Sequence, residues 1–367
     1  MHEWFRSEMS WFLKKTLGIL VPRLKVDQTL RVLRRLQLVD TGLKFSRKTE
    51  QIIIPVVREP TYEEEHLLKE RCAELRMQTE LFVEARTRPR NLQTALQGQI
   101  PKDLLSSVPR SLEIIGEIAV VELPEILARH ASVVGNGVLR ISPHLRLVLR
   151  KSGTISGRFR TAKFETIAGN GSTETIYQEF SCRFHFDVAT VYFSSKLSHE
   201  RRRIAQQVGK GECVLDMFAG VGPYSVLIAK MQPSAKVYSI DINPEAFRYL
   251  HENILLNQVA DRVIPIFGDA REIISSKLRA VASRVVMNLP SDAKSFFDSA
   301  IFALKGEGGM IHYYAFASRD QSLDAIKEEV RNLVEDHGRR VAAFPFAKAI
   351  REVAPNRLQV AIDVLVK

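Results

Sequence analysis

DMFAGVGPYSVLIAK runs from Asp216 to Lys230, and the residues leading into it, VLDMF, form a short β-rich run. The stretch therefore reads as a strand that turns on Gly220 and Gly222 and continues as a helix. Glycines at such a turn let the backbone approach a ligand closely, as a nucleotide-type cofactor requires. Pro223 and Tyr224 interrupt the G-x-G-x-x-G spacing, which argues against a pyrophosphate and hence against a dinucleotide.

Working outward, KVYSIDI, VIPIFGDA, RVVMNLP and GMIHYYAF follow VLDMF as further short β-rich runs, separated by helical segments. That alternation predicts an α/β domain with a doubly wound, mostly parallel sheet. RRVAAFPFAKAI and RLQVAIDVLV come last with little between them, which predicts an antiparallel closing pair and seven strands in all. Asp241 ends the second strand, where a carboxylate can accept both hydroxyls of a ribose. Asp269, in GDA after the third, suits an adenine amino group. A glycine turn, a ribose acid and a third-strand acid are together the layout of class I S-adenosylmethionine methyltransferases. The expected cofactor set is Asp216, Phe218, Gly220, Gly222, Asp241, Ile242, Asp269, Ala270 and Asn288.

Asn288 enters through the fourth strand, in VVMNLP. Ligands of an open α/β sheet bind beyond the carboxyl ends of the strands at the switch point, here between strands one and four. Asn288 is thus expected opposite Gly220, with Pro290 stiffening the turn after it. An Asn-x-Pro at that place can offer amide and backbone groups to the edge of a heterocyclic base. No cysteine lies between Cys213 and the C-terminus, which disfavours covalent catalysis of the cytosine-C5 kind.

The chain has 367 residues, enough for two or three domains. Its hydrophobic fraction of 45% and charged fraction of 26% are those of a globular protein, and no apolar run approaches a membrane span. The start, with Lys14 and Lys15 inside its apolar part, reads poorly as a signal peptide. Cys72, Cys182 and Cys213 form no CxxC pair and the nine histidines lack ligand spacing, so neither a disulfide framework nor a metal site is expected. These features fit a cytoplasmic monomer. A net charge of +11 favours a polyanion as partner, nucleic acid first.

Upstream, residues 1–60 read as a small α/β module, with KVDQTLRVLRRLQLVD helical and QIIIPV a strand. The module carries 12 Lys or Arg against 6 Asp or Glu. Residues 61–88 mix charge signs at helical spacing and read as an exposed, ion-pair-laced helix. The α+β domain is expected over residues 61–186 and the catalytic domain over 187–367. In the former, SLEIIGEIAVVELP reads as strands with a turn, and LPEILARHASVVG as a helix ending at Gly135 or Gly137. Residues 139–163 hold seven basic residues and no acidic one, a pattern suited to a phosphate track.

On DMFAGVGPYS, IDINPEAFRYLHENILLN, VVMNLP, GGMIHYYAF, TETIYQEFSCRFHFDVATVYFSSKLSHERRR and, near the start, LVDTGLKFSRKTEQIIIPV, the chain resembles the archaeal and eukaryotic type of tRNA (guanine(37)-N1)-methyltransferase. The resemblance covers nearly the whole chain. It implies methyl transfer from S-adenosylmethionine to N1 of an extruded guanosine in tRNA. It places Glu200 of SHERRR at the family's general base and Arg160 of RFRTAK at the arginine that stabilises guanine O6. It puts Asn288 at the base-contacting Asn-Leu-Pro, and Tyr192 in the strand leading to the base pocket. Arg201 to Arg203 and the basic segment 139–163 are expected to contact the anticodon stem, and the first module a distant part of the tRNA. Rival readings are an aminocarboxypropyl transferase of wybutosine synthesis, a methyltransferase that also acts on a tricyclic wyosine precursor, and a non-catalytic tRNA-binding scaffold.

Overall fold

The computed structural model describes residues 13–84, 89, 91–153 and 162–367. The chain divides into two compact units, Met1–Pro89 and Arg90–Lys367.

In the first unit, strands β1 (Leu13–Pro22), β2 (Ser46–Arg47), β3 (Gln51–Pro55) and β4 (Arg76–Val83) form an antiparallel sheet of order β2-β3-β1-β4. Alternate positions point Ile19, Val21 and Ile54 to one face, where they bury Leu33 of the helix Val26–Arg35 and Leu68 of the helix Tyr62–Arg71. The unit extends beyond residue 60. The helix expected over residues 61–88 stops at Arg71, because Arg76–Val83 pairs along β1 from Arg76↔Leu20 to Val83↔Leu13. Phe82 of this strand lies over Gly18, where a Cβ would come within 2.5 Å of its ring.

The second unit opens with a four-stranded sheet, order β5-β6-β7-β8, built from β5 (Glu113–Ile115), β6 (Ile118–Val121), β7 (Leu147–Lys151) and β8 (Phe164–Gly169). The helix Ala131–Ile141 packs on it, running through both glycines expected to end it. A Cβ at Gly135 would stand 2.7 Å from Ala168 and one at Gly137 2.9 Å from Leu96. These glycines let the helix sit close to its neighbours rather than stop it. A hairpin follows, β9 (Glu174–Glu179) paired with β10 (Cys182–Asp187).

The expected doubly wound sheet comes next. Its strands are β11 (Cys213–Asp216), β12 (Lys236–Asp241), β13 (Val263–Phe267), β14 (Arg284–Met287), β15 (Gly309–Ser318), β16 (Val341–Ala354) and β17 (Arg357–Val366). Their order is β13-β12-β11-β14-β15-β17-β16, with the first five parallel and the closing pair antiparallel. Neighbouring residues alternate between two cores, Val214 and Val286 in one, Leu215, Val285 and Met287 in the other. Burial on both faces explains why these strands read as continuous apolar runs. The switch point lies between β11 and β14, as expected.

Candidate active site

Beyond the carboxyl ends of β11, β12, β13 and β14 opens a cavity of about 730 Å³. Phe218, Gly220, Asp241, Ile242, Asp269, Ala270, Asn288, Pro290 and Tyr192 all line it. Asp216 and Gly222 do not, and their positions explain why. Asp216 is wholly buried beneath the turn, its Oδ2 accepting from Ser225 Oγ at 2.7 Å. Burial pushes its carboxyl up to about 7. Gly222 holds φ +91°, and a Cβ there would meet Leu250 at 2.6 Å, so it shapes the helix entry.

Gly220, at φ +57°, is the glycine the cavity needs. A Cβ would meet nothing nearer than the Tyr192 carbonyl oxygen at 3.9 Å, so the cavity comes directly up to the backbone. Its N–H donates to Asp241 Oδ2 at 2.6 Å, while Asp241 Oδ1 accepts from Asn243 N at 2.8 Å. Burial raises the Asp241 pKa, against the backbone donors Asn243, Gly220 and Ile242. Asp269 caps the helix Ala270–Lys277 through the Arg271 N–H at 2.9 Å.

A second cavity of about 390 Å³ shares Lys151, Tyr192, Phe316 and Val353 with the first and adds Arg110, Glu113, Lys196 and Arg351. Of these, Lys151 was expected only within the basic segment 139–163, as an anticodon-stem contact, and Glu113 and Arg351 not at all. They come from β7, β5 and β16, and no spacing along the sequence connects them.

Glu200 lines neither cavity. It is 8% exposed on the helix Ser198–Gln207. Its Oε1 accepts from the Tyr314 hydroxyl at 2.6 Å and Arg203 Nη2 at 2.7 Å, and its Oε2 from Arg203 Nε at 2.8 Å. Arg203 bridges onward to Asp363 at 2.5 Å, Asp363 to His312 Nδ1 at 2.7 Å, and His312 Nε2 to Arg284 at 2.8 Å. Burial lowers the His312 pKa, though Asp363 opposes it. For Asp363 burial acts upward, but His312 and Arg203 outweigh it and hold the carboxyl well below the usual range. The signal for this chain of charges was present in the sequence as Arg284, His312 and Asp363 inside otherwise apolar strands.

The expected RNA contacts of Arg201 and Arg203 need correction. Arg201 is 2% exposed, paired with Glu179 through two bonds of 2.6 Å and donating to the Ser194 carbonyl at 3.0 Å. Its charge is spent inside the unit, as is that of Arg203. Arg202 stacks over Phe180. Arg160 lies outside the described residues.

Sequence profiles match three parts of the chain: the tRNA methyltransferase 5 N-terminal domain at residues 18–64, the TYW2 N-terminal domain at 92–173, and the TRM5/TYW2 methyltransferase domain at 175–342. Among curated relatives, the tRNA (guanine(37)-N(1))-methyltransferase Trm5b of Pyrococcus abyssi is 40% identical over 72% of this chain and 77% of its own. The chain belongs to the TRM5/TYW2 methyltransferase family. The tRNA 4-demethylwyosine(37)-methyltransferase Taw21 of Saccharolobus solfataricus is 31% identical over 70% of this chain and 93% of its own. The tRNA(Phe) (4-demethylwyosine(37)-C(7)) aminocarboxypropyltransferase of Methanocaldococcus jannaschii is 34% identical over 59% and 85%. The solved complex of aTrm5 with tRNALeu superposes with a TM-score of 0.78 at 26% identity, covering 96% of this chain and all of that one. The family's cofactor is S-adenosylmethionine. The first cavity fits it, with open space against the Gly220 backbone and a carboxylate at the end of β12.

Among the described residues no helix is long and apolar enough to cross a membrane, and no cluster of His, Cys, Asp or Glu could hold a metal ion.

Proposed function

We propose that the chain methylates N1 of guanosine 37 in tRNA. The observation that carries this reading is that Gly220, Asp241, Asn288, Pro290 and Tyr192 meet in one cavity at the switch point of the sheet. When bound, S-adenosylmethionine supplies an electrophilic methyl group on a sulfonium. Asp241 would hold the ribose hydroxyls, with the Gly220 and Asn243 N–H groups fixing its carboxylate, and Asp269 would face the adenine. On the acceptor side, Asn288 and Pro290 present an amide and a rigid turn to the guanine edge. A ring nitrogen in a stacked loop is out of reach, so the base must be extruded to meet them.

Guanine N1 carries a proton at neutral pH, so a base has to take it as the N1–C bond forms. Glu200 is the proposed acceptor, from the likeness of its SHERRR segment to the family. Since Glu200 lines neither cavity and donors occupy both its oxygens, taking the proton requires its carboxylate to turn toward the acceptor side, releasing the Tyr314 hydroxyl, the one uncharged donor among those named. Arg160 is the proposed partner of the charge that develops on O6, favoured in the transition state over the ground state.

The wyosine-pathway reading has its own support in the match of residues 92–173 to the TYW2 N-terminal domain and in the two relatives that act on 4-demethylwyosine. One experiment separates the readings. The chain is incubated with donor labelled either in the methyl or in the aminocarboxypropyl group and with tRNA transcripts carrying G or A at position 37, followed by nucleoside analysis. Methyl label confined to 1-methylguanosine in the G transcript is the expected result. Label on the A transcript, or label that travels only with the aminocarboxypropyl group, would sink it.

A further inference from the structure

The closing hairpin of the sheet is irregular where it meets the site. Pairing of β16 with β17 shifts register between Ala349 and Arg351 and again between Glu352 and Ala354. Such bulges re-aim side chains and are common beside active sites. Between the two shifts lie Arg351 and Glu352, both lining the second cavity, while Val353 and Ala354 reach the first.

Arg351 uses all three arms of its guanidinium. Nε donates to Gln359 Oε1 at 2.7 Å, Nη1 to Ser194 Oγ at 2.9 Å, and Nη2 to the Tyr192 hydroxyl at 3.1 Å. Ser194 in turn donates to Glu113 Oε1 at 3.2 Å, and that same oxygen accepts the Ser195 N–H at 2.9 Å. Gln359 is 1% exposed and Ser194 5%, so the anchors are themselves fixed. The fork geometry of a guanidinium makes such a three-way tie specific to arginine, since a lysine ammonium is a single point on a flexible stem.

Of the residues tied, Tyr192 matters for chemistry because it stands in the wall common to both cavities. An acceptor atom has to come to the edge of the cofactor cavity to receive a methyl group, and the common wall is what its base then meets. The Arg351 bond to the Tyr192 hydroxyl limits how that ring can turn about its side-chain torsions. A misplacement of about 1 Å in such a wall can cost on the order of 100-fold in rate.

We propose that Arg351 is a positioning residue for the transfer, holding Tyr192 in the wall between the two cavities so that the target nucleobase is seated against the methyl donor. This rests on the reading of the substrate as tRNA guanosine 37 and of Tyr192 as part of the base site. Arg351 does not line the cofactor cavity, so its effect on the transfer runs through Tyr192.

The test is a double-mutant cycle on Arg351→Ala and Tyr192→Phe. It is read by single-turnover methyl transfer to a G37 transcript at saturating enzyme, with Kd for S-adenosylhomocysteine and for tRNA measured separately. Arg351→Ala should slow transfer by about 10- to 100-fold while both Kd values move less than about threefold. Tyr192→Phe, which keeps the ring and so guards against a misfolded Arg351 variant, should slow it by about three- to tenfold. The double variant should lose less than the product of the two single losses, because the Arg351–Tyr192 bond is common to both. Unchanged transfer in Arg351→Ala, additive losses, or a cofactor Kd that rises in step with the rate loss would overturn the proposal. Failure of the underlying reading shows elsewhere: an unaltered enzyme inactive on G37, or Tyr192→Ala as fast as the unaltered enzyme, removes the proposal along with it.

Discussion

The Gly220 N–H donates to Asp241 Oδ2 across 2.6 Å, so the turn after β11 and the acid at the end of β12 form one rigid unit at the floor of the cofactor cavity. Asp241→Ala removes both an anchor of the turn and the proposed acceptor for ribose hydroxyls. The Kd for S-adenosylhomocysteine should rise at least tenfold, about 1.4 kcal/mol or more, in a calorimetric titration. An unchanged Kd would place the ribose elsewhere.

The two glycines of the turn should fail in different ways. Gly222→Ala forces a Cβ to within 2.6 Å of Leu250 and strains a backbone at φ +91°, so it should lower stability by about 1–3 kcal/mol, read as a drop in Tm. Gly220→Ala meets no such obstacle but places a methyl group in the cavity, at a left-handed position that costs roughly 1 kcal/mol. Its melting should fall less than that of Gly222→Ala, while cofactor affinity falls more. Equal effects of the two on both measurements would refute the division.

That division shows what was legible in the sequence. The order of the β-rich runs and the spacing from Gly220 to Asp241 to Asn288 follow from local pattern and from the rule that ligands bind at the switch point, and the cavity assembles them. Local pattern also puts Asp216 and Gly222 at the turn, but whether a turn residue faces ligand or core depends on what packs behind it, here Ser225 and Leu250. Arg201 reads as a surface charge because its partner Glu179 is on a distant strand. Helix Ala131–Ile141 keeps its glycines because β8 and Leu96 lie against them, which no residue within the helix reveals. Two of the three ties of Arg351, to Tyr192 and Ser194, reach residues more than a hundred positions away in the chain, and the third, to Gln359, crosses the hairpin.

Asp216 makes the stability of the second unit depend on pH in an unusual direction. Its carboxyl, raised by burial to about 7 from an ordinary 3.8, binds a proton more tightly folded than unfolded. Its contribution is therefore fully present below about pH 4 and is lost as pH rises through 7, by roughly 4 kcal/mol at most. His312, with its pKa lowered by burial, acts in the opposite sense, favouring the folded state above its unfolded pKa of 6.5 and losing that as pH falls. Asp216→Asn keeps a partner for Ser225 and cannot ionise. Urea unfolding at pH 6 and pH 8 should show the variant gaining stability relative to the unaltered chain as pH rises, and a constant difference would show that Asp216 is ionised throughout.

Glu200 and Asp363 share Arg203, and substituting each should separate chemistry from folding. Glu200→Gln removes the proposed base but leaves Asp363 to balance the guanidinium, so methyl transfer should fall at least about 100-fold with tRNA affinity retained. Asp363 is 1% exposed and also accepts from His312 and from Gln207 at 3.1 Å. Asp363→Asn leaves Arg203 paired with Glu200 but weakens the buried acceptor that joins Arg203, His312 and Gln207, at a cost of about 1–3 kcal/mol. The expected pattern is a well-folded but inactive Glu200→Gln and a less stable Asp363→Asn whose folded fraction keeps most of its transfer rate. Full activity in Glu200→Gln would remove Glu200 as the base. It would shift attention to Glu113, which lines the neighbouring cavity with Glu122 and Glu352.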